Sequence, residues 1–140
     1  MPGQPQLGTN PILGIDCTNL VVTDPNDPLG PSNLIIPANN IFNVSVQFNL
    51  GGLLAGWLVA TTIPFTVTYF FEGMGGAPEG TLGSVNGNTV AGQTAYGPAE
   101  TTLAASLPAA GTYRLTAVVG FGGPPVTAFT EGPMIQVFSP

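Results

Sequence analysis

Apolar and polar residues alternate with a period of two through much of the chain. From Ile41 to Leu50, Phe42, Val44, Val46, Phe48 and Leu50 are interleaved with Asn43, Ser45, Gln47 and Asn49. That period predicts a strand with one buried face and one wet face. Phe65–Phe71 repeats it, with Phe65, Val67, Tyr69 and Phe71 on one side and Thr66, Thr68 and Phe70 on the other. Thr112–Phe121 does so again through Tyr113, Leu115, Ala117, Val119 and Phe121. Weaker runs predict strands at Thr18–Thr23, Asn33–Ile36, Thr81–Val85 and Thr101–Leu107, with Thr89–Tyr96 as a hairpin partner to the third of these. A last strand covers Val126–Thr130 and Met134–Phe138, with a bulge or break expected at Gly132-Pro133.

Turn chemistry separates these runs. Asp24–Pro31 (DPNDPLGP), Glu72–Gly80, Asn86-Gly87 and Gly122-Gly123-Pro124-Pro125 are dense in turn-forming residues. Only Gly51–Ile63 (GGLLAGWLVATTI) has no alternation, and it reads as a short helical turn or a large apolar loop. No amphipathic pattern of about ten residues or more supports a long helix. The expected fold is all-β: a two-sheet antiparallel sandwich of about seven to nine short strands. Residues 18–140 form one domain, preceded by an extended Pro- and Gly-rich arm at residues 1–17.

The segment Leu107-Pro108-Ala109-Ala110-Gly111-Thr112-Tyr113, followed by the strand RLTAVVGF, resembles the tyrosine corner of immunoglobulin-like and fibronectin type III-like sandwiches. The resemblance implies a Greek-key, immunoglobulin-like topology in which the Tyr113 hydroxyl bonds back to the preceding corner. It implies no activity, because fold does not fix function. The chain departs from antibody domains in lacking their inter-sheet cysteine pair. Trp57 also precedes the strand where their core tryptophan would stand.

Composition narrows the function. Hydrophobic residues make up 44% of the 140 residues but charged residues only 6%, against roughly 25% in an average domain. Lys and His are absent, Arg114 is the sole cation, and seven acids bring the net charge to −6. Nucleic acid is excluded as a partner, since one cation cannot release phosphate counterions, and anionic lipid is disfavoured for the same reason. The high hydrophobicity also argues against disorder. Leu50–Phe71 is apolar enough to raise a membrane span, but Gly51, Gly52, Gly56 and Pro64 interrupt it and its threonines favour strand. No membrane span is expected. The N-terminal residues show no signal-peptide pattern, and composition slightly favours an extracellular or surface-assembled setting.

Catalytic chemistry is largely ruled out. Without His or Lys there is no Ser–His or Cys–His nucleophile pair, no Cys/His zinc site and no Walker-type phosphate loop. A carboxylate pair remains conceivable, yet no acid stands beside another in an aromatic setting along the sequence. The chain is therefore expected not to be an enzyme, and no cofactor is expected. Asp24 and Asp27 are weak metal candidates: they suit an Asx-rich turn, with a Ca²⁺ site completed by Asp16 or a carbonyl as the alternative. Cys17 reads as a small buried residue, with an interchain disulfide or reactive thiol as alternatives. Asn43-Val44-Ser45 matches a glycosylation sequon but lies on a strand. Arg114 is expected to pair with Glu100 or another acid.

The charge deficit points to the surface. A monomer of this size ordinarily keeps itself soluble with many charges of both signs. Here the exterior must be largely Thr, Ser, Asn, Gln, Gly and apolar side chains. Leu53, Leu54, Trp57, Leu58, Val59 and Phe70 are the candidate contact residues. The expected function is a non-enzymatic structural or interaction module, partnered with itself as a homo-oligomer or filament, or with another protein in a larger assembly. The alternative is an adhesin-like ligand-binding domain. Its site would combine loops 51–63, 73–80 and 122–125, with Trp57, Phe121 and Tyr96 as contacts.

Overall fold

The computed structural model of the chain describes residues 14–23, 35–52, 55–122 and 127–139. Among them, the chain is all-β, with nine strands and two short helices. The strands are β1 (Gly14–Thr23), β2 (Ile35–Pro37), β3 (Phe42–Gly51), β4 (Pro64–Gly73), β5 (Glu79–Asn88), β6 (Ala95–Tyr96), β7 (Leu103–Ala105), β8 (Gly111–Phe121) and β9 (Thr127–Phe138). The helices are α1 (Ala55–Ala60) and α2 (Pro98–Thr101). One sheet has β3 at its centre, with β1 on one side and β6 and β7 sharing the other. The second sheet is five-stranded, in the order β2-β9-β8-β4-β5. The two-sheet arrangement is compatible with a β-sandwich. It is not purely antiparallel, because β2 pairs parallel to β9.

The period-two strands form as the pattern requires. Phe42, Val44, Val46 and Phe48 of β3 are fully buried, as are Val67 and Tyr69 of β4 and Tyr113, Leu115, Ala117 and Val119 of β8. These inward residues of the two sheets make one core. An aromatic cluster closes one end, where Phe48 stacks on Tyr96 at 4.9 Å and meets Phe65 edge-on at 5.2 Å. At the other end Phe71 packs edge-on against Tyr113 at 5.7 Å. The Tyr113 hydroxyl donates to the Ala109 carbonyl at 2.7 Å, tying the start of β8 to the corner before it.

Four local expectations need correction. β1 starts at Gly14, so the Gly14–Cys17 part of the expected arm is strand paired with β3, and Cys17 is buried. Asn86-Gly87 makes no turn: both residues lie within β5, paired with Thr66 and Phe65. Glycine is needed there for space, since a Cβ on Gly87 would stand 2.6 Å from the Phe65 ring. The hairpin partner of β5 is β4, and the 89–96 segment instead supplies β6 to the opposite sheet. Residues 98–101, the last of which was expected to open a strand, form α2, and only Leu103–Ala105 is extended.

The reason for α2 lies in the hydrogen-bonding needs of β3. Phe42–Val44 pair with β7 and Phe48-Asn49 pair with β6, which leaves a gap at Val46. The Thr101 hydroxyl fills it, donating to the Val46 carbonyl at 2.7 Å and accepting the Val46 N–H at 3.1 Å. One side chain thus replaces a strand partner in a fully buried position, where unpaired backbone groups are costly. Proline at its first position suits α2, and the Glu100 carboxylate accepts the Gly97 N–H at 2.8 Å. The fully buried Tyr69 hydroxyl locks the other side by donating to the Thr101 carbonyl at 2.6 Å.

The expected irregularity at Gly132-Pro133 is a bulge. Arg114 pairs with Met134 and Thr116 with Glu131, so β9 carries one residue more than β8 between these pairs. β1 bulges too, between Thr18 and Val21, with Asn19 in the left-handed region at φ 55°. The two irregularities meet: Leu20 packs directly over Gly132, leaving no room for a side chain there.

Candidate interaction surfaces

The contact residues expected from sequence divide into three groups. Leu58 and Val59 face inward from α1, 7% and 1% exposed, and belong to the core. This withdraws them from any contact surface. Trp57, on the opposite side of the same helix, is 75% exposed. Phe70 is 37% exposed on the outer face of the five-stranded sheet. Leu53 and Leu54 lie outside the described residues, as do Asp24 and Asp27. Among the described residues, no group of three or more His, Cys, Asp or Glu is placed to hold a metal ion. No helix among them is long and apolar enough to cross a membrane.

The described parts of the loops proposed for an adhesin-like site do not converge. Gly122 adjoins the residue that follows the first of them, its N–H donating to the Pro64 carbonyl. The 74–78 turn instead adjoins Thr112, whose carbonyl accepts the Met74 N–H. The full length of β4, about 30 Å, separates the two. Tyr96 is also unavailable: it is buried, its hydroxyl donates to the Gln93 carbonyl at 2.7 Å, and the same oxygen accepts the Val90 N–H. Phe121 is half-buried and packs against Phe48 and Phe65.

No protein-family model matches this sequence, and none of the curated proteins is significantly similar to it. The surfaces therefore have to be judged on their own chemistry. The outer face of the five-stranded sheet is the most unusual. Phe129 of β9 is 68% exposed, and Ile35, Met134 and Phe138 are exposed on the same face. The register sets Phe129 beside Val118, Thr68 and Ser84 in one row across four strands. The neighbouring row is Glu131, Thr116, Phe70 and Thr81. Threonine, serine and amide side chains fill most of the other positions and bond across strands, as Thr68 and Ser84 do at 3.1 Å and Thr66 and Asn86 at 2.8 Å.

The charges of this face are few. Arg114 lies 3.6 Å from Glu131, both substantially exposed, so its expected acid partner is Glu131 and not Glu100. Glu72 is the cross-strand neighbour of both Arg114 and Glu79. Folding thus brings side by side two carboxylates that are apart in sequence. Glu72 and Glu79 line an open groove of about 400 Å³ with Phe70 and Phe71. A like-charged cross-strand pair of this kind is destabilising, and the nearby Arg114 offsets it.

The outer face of the other sheet differs in kind. Asn43, Ser45 and Gln47 of β3 and Asn19, Val21 and Thr23 of β1 line a shallow cleft of about 300 Å³, closed by Pro98 and Thr102. The Asn19 amide donates to Gln47 Oε1 at 3.0 Å. This surface is neutral and hydrogen-bonding, with no aromatic side chain in its lining.

Sequence reasoning did not find Phe129, Met134 and Ile35. The signal for Phe129 was present in the bulge. Ile135 and Val137 are buried, and strict alternation from them would turn Phe129 inward; the extra residue at Gly132-Pro133 inverts the parity and turns it out.

Proposed function

We propose that this chain is a non-enzymatic structural module that associates with copies of itself, on an immunoglobulin-like Greek-key sandwich. The observation carrying the functional reading is the pairing of a charge-poor surface with large exposed apolar side chains. Trp57, Phe129, Met134 and Ile35 are all exposed in a chain whose charged residues make up 6% of the total. Exposed apolar area of this kind marks partner surfaces, and few like charges oppose association. Size-exclusion chromatography with light scattering at micromolar concentration tests the reading: assembly gives a mass above 14.2 kDa, whereas a concentration-independent monomer refutes it.

The fold reading draws support from the strand order. On this reading β9-β8-β4 would correspond to the last, penultimate and third strands of the immunoglobulin arrangement, and β1-β3-β7 to strands of its opposing sheet. The bond from Tyr113 to Ala109 stands where the tyrosine corner would be. The ligand-binding alternative keeps one observation in its favour, the neutral cleft beside Asn19 and Gln47. That cleft would suit a small neutral polar ligand. Titration with neutral oligosaccharides, read by thermal shift on the monomer, separates the two readings.

A further inference from the structure

We infer that the outer face of the five-stranded sheet packs against the same face of a second copy of this chain. The inference deepens the self-association reading and rests on it. It assigns the contact to β2, β9, β8, β4 and β5, and away from the end of the sandwich that carries Trp57.

Size supports the assignment. The four long strands, about 4.8 Å apart and about ten residues long, give a face roughly 19 Å by 33 Å, and the short β2 brings it to about 680 Å². That lies within the roughly 600–1,000 Å² per partner of standard specific interfaces. Trp57 projects from a helix of only six residues, and a single ring offers far less area. Chemistry supports it as well. Phe129, Met134, Ile35 and Phe70 are distributed over this face, and the threonines between them carry no charge to desolvate. Sheet faces pack with their strands within about 30° of one another, and a threonine-rich face allows close approach.

Charge favours a second copy as the occupant. The chain's sole cation, Arg114, stands on β8, the central strand of this face, towards the end that carries Glu72 and Glu79, and lies 3.6 Å from Glu131. The face therefore carries both signs, one cation beside these acids, and a two-fold rotation can set the cation of each copy against an acid of the other. A rotation axis near the Arg114–Glu131 pair brings each guanidinium towards the acids of the other copy. It also sends Glu79, on the edge strand β5, to opposite sides of the contact. The guanidinium has five N–H donors, enough for both sets of acids.

Sedimentation velocity on the full chain and three single variants tests this. Phe129→Lys and Met134→Lys place a charge in the face, and Trp57→Lys places one at the end of the sandwich. Each lysine lowers the magnitude of the −6 net charge, so dissociation cannot come from general repulsion. All three positions are exposed, and a native thermal transition verifies folding. The expected result is a dimer for the wild type and Trp57→Lys, with at least a tenfold weaker dimer for the two face variants. Dissociation by Trp57→Lys alone would overturn the assigned face while leaving self-association intact. A monomeric wild type would overturn both.

Discussion

Thr101 shows how one side chain can decide a local fold. Its hydroxyl serves the N–H and the carbonyl of Val46 where no strand can reach them. Thr101→Val keeps the shape and removes both bonds, leaving two buried backbone groups unpaired. The expected cost is about 2–4 kcal/mol, whereas Thr101→Ser should cost under about 1.5 kcal/mol; urea midpoints measure both. Two buried acids of the weak kind set the alkaline limit. Burial pushes the Cys17 thiol up to about 11 from 9.0, with neighbouring Asp16 adding to the shift. Burial likewise pushes the Tyr69 hydroxyl up to about 12 from 10.0, opposed by the neighbouring Thr101 side chain and aided by Cys17. Both groups hold their protons longer folded than unfolded. Stability is therefore intact below about pH 9 and declines as pH rises towards about 12, because the unfolded chain releases protons first. Thermal midpoints across that range test the sign. With the lower-titrating group removed, Cys17→Ala should delay the decline to about pH 10.

At the scale of elements, β5 depends on glycines that serve packing and not turns. Phe65 lies against Gly87 and Phe71 against Gly80. Aromatic rings on one strand covering glycines on the next supply area that the edge strand lacks. Gly87→Ala should cost about 1–3 kcal/mol, since its Cβ would need the space of the buried Phe65 ring; denaturant unfolding measures it. The same strand shows how far the sequence could be read. β3, β4 and β8 were legible because each has one buried and one wet face, the condition under which a period of two appears. Of β5 only the Thr81–Val85 part was legible; its end and the 89–105 segment were not, because their structure is set by partners distant in sequence. Asn86-Gly87 resembles a hairpin turn until Phe65 is placed over it. The 98–101 segment resembles a strand edge until the gap beside Val46 is known. Of the surface, Trp57 and Phe70 were legible as apolar residues without a clear place in the core. Leu58 and Val59 were misread because the helical period of α1, which turns them inward, is only six residues long. Phe129 required the bulge to be followed through to its effect on parity.

At the scale of the whole molecule, two opposed surfaces differ in character. The β1–β3 face is neutral and hydrogen-bonding, lined by Asn19, Asn43, Ser45 and Gln47. The five-stranded face carries exposed apolar side chains around the Arg114–Glu131 pair, with Glu72 and Glu79 beside it. Among the described residues the outer edge of β5 has no strand partner, and it is interrupted by a bulge at Leu82-Gly83, where Tyr69 pairs with Gly83 and Phe70 with Thr81. Bulges of this kind limit edge-to-edge addition, which leaves faces and not edges as the natural contact. Burial of apolar area is insensitive to ionic screening, while exposed ion pairs weaken within a Debye length of about 3 Å at molar salt. The most direct measurement is light scattering of the wild-type chain over a dilution series, repeated at high salt. The account predicts a mass above 14.2 kDa that falls on dilution and persists in salt. A mass of 14.2 kDa at every concentration would contradict it.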